Sequence, residues 1–263
     1  MNLAGRSVLL TGASGGLGHA IARRLRAEGA SLVLTGRRVE VLDALAAETG
    51  ARSLAVDLAD AAAVERLAAE CADVDVLIAN AGLSATAQLT SFSIEQIDRA
   101  LAVNLRAPIV LARHLGERMA ARGSGHLLFM SSLAGKVGTP RSSIYSATKF
   151  GLRGFAQALR EDLRPRGVGV SAIFPGFVSD AGMFHETGAK LPPGAGTVTP
   201  EAVADAVVRA IERNRGEIDV APVTLRVGAM AAGLAPEVAA AVSRKFGGHR
   251  IADAHVVAHA DKR

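Results

Sequence analysis

The sequence predicts an α/β protein: a doubly wound parallel sheet with helices on both faces, three layers in a single domain. Three observations predict it. Short runs of Val, Leu and Ile alternate with helix-length stretches from Ser7 to Val220. Successive runs lie too far apart for hairpins, so parallel pairing through right-handed crossovers follows. A glycine-rich turn joins the first apolar run to the first helical stretch.

In order, Ser7 to Thr11 reads as a strand, and Leu17 to Glu28 as a helix with Ile21 and Leu25 at helical spacing. Gly29 supplies a stop. Ser31 to Thr35 gives a second strand, and Val39 to Glu48 a second helix closed by Gly50. Ser53 to Val56, Val76 to Ala79, His126 to Met130 and Val168 to Phe174 read as further strands with helical stretches between them. Thr199-Pro200-Glu201 has the form of a helix start, Thr as cap and Pro in the first turn, leading to Arg213. Glu217 to Val220 is the last expected strand. In such a sheet ligands sit beyond the carboxyl ends of the strands, so chemistry is sought just after each one.

Bulk properties narrow the classes. The 263 residues suffice for one core, and no linker divides them, so residues 1–221 are expected to form the domain and 222–263 its extension. The formal charge of +5 is spread along the chain with no basic run, which argues against nucleic-acid binding. The lone Cys71 excludes an internal disulfide and suits a reducing compartment. The first strand follows with no leader pattern before it, so a cytoplasmic protein is expected. The most apolar late stretch, Val220 to Val242, is interrupted by Arg226, Pro236 and Glu237, so no integral membrane insertion is expected. His255 and His259 have helical metal-ligand spacing but no convincing further ligands, and no metal site is expected.

Thr11-Gly12-Ala13-Ser14-Gly15-Gly16-Leu17-Gly18 follows the first strand and opens the first helix, where backbone N–H groups and the helix dipole can hold a pyrophosphate. A bare glycine turn is also compatible with a tight strand-to-helix connection. About twenty residues further on, a carboxylate would bind the ribose hydroxyl of NAD; here stand Gly36, Arg37 and Arg38. Two guanidiniums favour the 2′-phosphate of NADP(H) with NAD still possible, unless both arginines merely open an exposed helix.

Tyr145, the only tyrosine, lies four residues before Lys149, so on a helix the two share a face. A phenol titrates near pH ~10, and work as an acid and base near neutrality calls for a neighbouring cation, the part expected of Lys149. Ser132 ends a strand thirteen residues before Tyr145, placing its hydroxyl where phenol and serine can meet one carbonyl oxygen. Taken singly, Tyr145 fits a surface aromatic and Ser132 a turn residue. With the glycine turn they suggest hydride chemistry assisted by a proton donor.

From Arg6 to about Val220 the sequence resembles the short-chain dehydrogenase/reductase superfamily in its compact single-domain branch. The resemblance is carried by Thr11 through Gly18, Asn80-Ala81-Gly82, Ser132, Tyr145, Lys149 and Pro175-Gly176. It implies a Rossmann fold and an NAD(P)(H)-dependent alcohol–carbonyl oxidoreductase working as a homodimer or homotetramer on a small-molecule substrate. It further implies cofactor contacts from Gly12, Ser14, Gly15, Gly16, Leu17 and Gly18, from Asp57 and Leu58 at the adenine, from Asn80, Ala81 and Gly82, and from Tyr145 and Lys149. Pro175 and Gly176 would flank the nicotinamide, with the Val178 backbone on its carboxamide. Asn104, on the long fourth helix, would hold a water in a proton relay reaching Lys149. Asp180 departs from the pattern, standing where many relatives have a cofactor-contacting threonine.

Between Gly176 and Val198 no periodicity is clear, and a mobile lid is expected. Its Met183, Phe184, Leu191, Pro192 and Pro193 favour a hydrophobic ketone or alcohol. The tail from Pro222 to Arg263 suggests a cleft cover, an oligomer contact or loose attachment to an anionic membrane. The rival reading is a noncatalytic NADP(H)-binding sensor or scaffold.

Overall fold

The computed structural model describes residues 1–180, 182 and 196–237. The expected lid residues Met183, Phe184, Leu191, Pro192 and Pro193 lie outside them, as do His255, His259 and the rest of the tail beyond 237.

Among the described residues, β1 (Ser7–Thr11), β2 (Ser31–Gly36), β3 (Arg52–Ala55), β4 (Val76–Ala79), β5 (Gly125–Met130), β6 (Val168–Pro175) and β7 (Glu217–Val220) form one parallel sheet in the order β3-β2-β1-β4-β5-β6-β7. The doubly wound expectation holds, and the order reverses between β1 and β4, opening a crevice at their carboxyl ends. β4, β5 and β6 are buried along their whole length because helices cover both faces, which explains their unbroken apolar runs.

On one face α1 (Gly16–Ala27), α2 (Val39–Thr49) and α7 (Pro200–Glu212) bury Ile21, Leu25, Leu42, Val203 and Ile211. On the other, α3 (Ala61–Glu70), α5 (Ala107–Arg122) and α6 (Ser143–Leu163) bury Val64, Leu67, Leu111, Leu115 and Leu152. Local signals set their ends. The Asp60 carboxylate accepts from the amides of Ala62 (2.8 Å) and Ala63 (3.2 Å) to start α3, and Thr199 accepts from Ala202 (3.2 Å) to start α7. Gly50 closes α2 at a φ of 64°.

The expected long fourth helix is not one regular helix. α4 (Ile94–Leu101) passes through a π turn at Ala102–Arg106 before α5 begins. A π turn adds a single residue within an otherwise continuous helical stretch, a local phase shift too short for sequence pattern to expose. Among the described residues the final helix is α8 (Val223–Leu234), which follows β7.

One core residue ties stability to pH. His126 of β5 is buried, with Nε2 2.8 Å from the Ser171 hydroxyl; that hydroxyl donates to the Arg215 carbonyl at 2.6 Å, so the imidazole must be the donor to Ser171. Burial foremost, with help from nearby positive charge, pushes the His126 pKa from 6.5 down to about 3. A base that stays neutral in the fold but protonates in the unfolded chain takes nothing from stability above pH 6.5, and draws stability away as pH falls from 6.5 towards 3. Between about pH 6.5 and pH 5 the loss should be roughly 2 kcal/mol. Urea unfolding of wild type and His126→Gln across that window tests this: the variant should show the flatter dependence, and equal slopes would refute the assignment.

Candidate active site

β1 delivers the chain to the crevice at Thr11, and β4 delivers Asn80 beside it. The Asn80 side-chain amide donates to the carbonyls of Thr11 (3.0 Å) and Gly12 (3.3 Å), while the Thr11 hydroxyl accepts from the amides of Asn80 and Ala81, both at 3.1 Å. Gly12 sits at a φ of 67°, and a Cβ there would lie 2.7 Å from the Ala81 Cα. A Cβ on Gly18 would stand 2.4 Å from the Gly12 carbonyl oxygen and 2.6 Å from the Ala13 Cα. Only glycine lets the two strand ends and the first turn of α1 meet this closely.

α1 starts with Gly15 as its cap, no capping side chain and no acidic residue in its first turn. The leading amides at Gly16 and Leu17 therefore suit an anion. The Ser14 carbonyl accepts from the Arg38 guanidinium, and Arg37 and Arg38 both stand exposed at the end of β2. Beyond β3, Asp57 accepts from the Ala59 amide (3.0 Å) and Arg99 (2.9 Å), with the buried Leu58 alongside. Burial pushes the Asp57 carboxyl up, but the Ala59 amide, Arg99 and Arg37 together hold it below its ordinary value. Arg99, forty-two residues away, was not visible to sequence pattern.

β5 ends at Met130, and Ser131 and Ser132 follow. The Ser132 hydroxyl accepts from the Ala134 amide at 3.2 Å and lies close enough to the Tyr145 phenol to draw its pKa down. Tyr145 is half-buried on the first turn of α6, where its ring packs against the cluster of Ala85, Phe92 and Ile144. One turn on, Lys149 is buried, its Nζ 5.6 Å from the tyrosine ring centre and donating to the Met130 carbonyl at 2.8 Å. The expected convergence of Ser132, Tyr145 and Lys149 is therefore present.

The electrostatics differ in one respect from expectation. Burial pushes the Tyr145 phenol above its ordinary value, and the Ser132 hydroxyl draws it part of the way back; burial pushes Lys149 down to about 8. Desolvation dominates because the Tyr145 hydroxyl and the Lys149 ammonium are both shielded from water, and the ammonium points at a carbonyl. A phenol in this state keeps its proton at neutral pH, the form needed by a proton donor.

Two residues that sequence reasoning passed over fix this geometry. The Ser131 hydroxyl donates to the Lys149 carbonyl at 3.1 Å, and a Cβ on Gly135 would lie 2.6 Å from that hydroxyl and 2.7 Å from the Lys149 carbonyl. The single available hint was a Ser-Ser pair followed by a glycine. Asn104 lies in the π turn, fully buried, accepting from the Leu83 amide (2.7 Å) and donating to the Leu83 carbonyl (3.0 Å) and the Thr148 hydroxyl (3.4 Å). It pins the segment following Gly82 to α6, one residue before Lys149.

β6 ends at Pro175, and the Gly176 amide donates to the Val220 carbonyl at 2.9 Å. A parallel bridge pairs Val178 with Val198 through the Phe177 carbonyl and the Ser179 amide, leaving the Val178 amide outside it. Asp180 follows at a φ of 58°. Cys71 is buried at the end of α3 with its thiol pushed up to about 11 by burial, a structural thiol and not a nucleophile.

The family model described as short chain dehydrogenase matches residues 6–192. The ketoacyl reductase HetN of Nostoc sp. is 38% identical over 228 residues, 83% of this chain and 79% of its own length. The 3-oxoacyl-(acyl-carrier-protein) reductase FabG of Rickettsia bellii is 31% identical over 68% of this chain and 75% of its own. A solved metagenomic short-chain oxidoreductase in complex with NADP superposes with a TM-score of 0.71 at 34% identity, over 84% of this chain and 99% of that one.

Proposed function

Because the chain belongs to the short-chain dehydrogenase/reductase family and is an oxidoreductase of it, we propose that it reduces the 3-keto group of hydrophobic ketoacyl thioesters with NADPH, Tyr145 giving the proton. The observation that carries this reading is the meeting of Ser132, Tyr145 and Lys149 at the end of β5, beside a glycine turn whose amides are left open. The substrate class is supported by the ketoacyl activities named for the two relatives. The cofactor is supported by the NADP-bound neighbour and by the fit of the Gly12–Gly18 turn, Arg37 and Arg38 to a phosphate-rich ligand.

When bound, the dinucleotide supplies the hydride. Tyr145, holding its proton at neutral pH, passes it to the substrate oxygen as the carbon is reduced. Ser132 hydrogen-bonds that oxygen and holds the carbonyl beside the phenol. Lys149 brings positive charge to the phenol as it becomes a phenolate, and would hold the cofactor's ribose. Asn104 orients the helix carrying both and would border a water through which the proton is replaced. Asp57 and Leu58 would border the adenine, Asn80, Ala81 and Gly82 would wall the cofactor cleft, and the Val178 amide would be available to the carboxamide beyond Pro175 and Gly176. Exposed Leu101 and Phe150 support a homo-oligomer, and the lone buried thiol supports a cytoplasmic setting.

Comparing kcat/KM for 3-ketoacyl thioesters with that for hydrophobic ketones and aldehydes lacking the thioester tests the substrate. Thioesters should lead, and an equal or higher value for simple ketones would overturn the class. For cofactor choice, Arg37→Asp together with Arg38→Asp should weaken NADPH binding far more than NADH binding, since the carboxylates repel a 2′-phosphate. Equal loss for both cofactors, read by fluorescence titration, would contradict the role of the pair.

A further inference from the structure

α8 packs by one side and turns the other to solvent, and that outward side is apolar. Ala229 and Ala232 are buried, and Leu225 approaches Gly176 at the cleft, so these positions face the fold. Val223, Val227, Met230 and Leu234 recur one turn apart on the opposite side and are between 58% and 89% exposed. A surface helix in water normally reverses this arrangement, and a contiguous apolar stripe marks a contact site.

The only charge on the helix is Arg226, at the edge of the stripe. Arg226 also lines a cavity of about 380 Å³ along the β7 edge, shared with Arg209, Arg213, Arg215 and Lys136. The acids in that wall are already answered: Lys136 pairs with Glu217 (2.8 Å) and Asp219 (2.5 Å), and Arg153 with Glu217 (2.8 Å). Among the described residues the four arginines have no acidic partner. The face thus joins an aliphatic ridge to an uncompensated positive cleft.

We infer that this face docks the protein peripherally on an anionic lipid surface, α8 lying in the headgroup boundary with its aliphatic ridge inward and the arginines meeting lipid phosphates. A second copy of the chain is the weaker occupant, because a two-fold contact would set the same arginines against each other. An interfacial helix requires what is present: an apolar side, cations at its rim and no need to cross the bilayer. No helix among the described residues is long and apolar enough to span one.

Cosedimentation of the full chain with phosphatidylcholine vesicles, with and without phosphatidylglycerol, tests the inference. Binding is expected only with the anionic lipid, weakening as salt rises. Val227→Asp with Met230→Asp should lower it at least about tenfold while leaving NADPH oxidation in vesicle-free solution unchanged, so a failed reductase assignment would not disturb the reading. Arg213→Glu with Arg226→Glu should lower it and flatten its salt dependence. Absence of vesicle binding, equal binding to neutral vesicles, or a Val227/Met230 variant that binds as wild type overturns the proposal. A change in oligomeric mass in that variant without lipid binding overturns it in favour of a contact between copies.

Discussion

Tyr145→Phe is expected to lower kcat for carbonyl reduction by about a hundred- to ten-thousand-fold, the usual worth of general acid–base assistance, and to leave NADPH affinity within about threefold. The substitution removes one oxygen and keeps the ring. That ring packs against Ala85, Phe92 and Ile144, contacts a phenylalanine retains, so the fold should persist. What is lost is the proton held above its ordinary pKa, together with the phenol's interaction with Ser132. Because the missing interaction belongs to the transition state, kcat and kcat/KM should fall together. A variant that turns over within a factor of about ten of wild type would remove Tyr145 from the chemistry.

Gly18→Ala should damage both folding and cofactor binding, since the first turn of α1 is built by backbone touching backbone. An added methyl would meet the Gly12 carbonyl oxygen at 2.4 Å, the Ala13 Cα at 2.6 Å and the Ala13 carbonyl oxygen at 2.7 Å, none of them the movable end of a side chain. Overpacking of this kind reaches about 3 kcal/mol, which for a chain of this size is a fall in Tm of roughly 6–12 °C. NADPH affinity should drop by more than the stability loss explains, because the helix start must move away from Gly12, whose neighbours Gly16 and Leu17 offer the open amides. Thermal unfolding with and without NADPH measures both effects. An unchanged Tm together with an unchanged ligand-induced shift would show that the turn is not where the phosphates bind. Gly15→Ala is the matching control, as its nearest neighbour would be 3.5 Å away, an ordinary contact.

Much of this was legible in the sequence because the relevant signals are local. Apolar runs such as Leu127 to Met130 declare strands covered on both faces, and Thr199-Pro200 declares a helix start by capping chemistry alone. Tyr145 and Lys149 stand one helical turn apart, so a shared face follows from spacing. What was not legible depends on residues brought together from afar. Ser131 holds the Lys149 carbonyl across 18 residues, Arg99 answers Asp57 across 42, and Asn104 reaches Thr148 across 44. No window of sequence contains either pair partner's reason for being there. Charge shows the same limit: Arg209, Arg213 and Arg215 stand close in the chain but Lys136 and Arg226 lie apart from them, yet the β7 edge gathers all five around one cavity. The phenol's electrostatics were likewise hidden, since spacing reveals the nearby ammonium but not the burial that raises the phenol's pKa.

The most direct test of a proton-donating phenol serving hydride transfer follows binding and turnover in one preparation of the full chain. NADPH is titrated by fluorescence, and its oxidation is then followed at saturating cofactor with a 3-ketoacyl thioester and a panel of hydrophobic carbonyls. Saturable binding, followed by oxidation of one NADPH for each alcohol formed, is the expected result. Saturable binding with no oxidation by any carbonyl would make the protein a dinucleotide sensor and contradict the catalytic role given to Ser132, Tyr145 and Lys149.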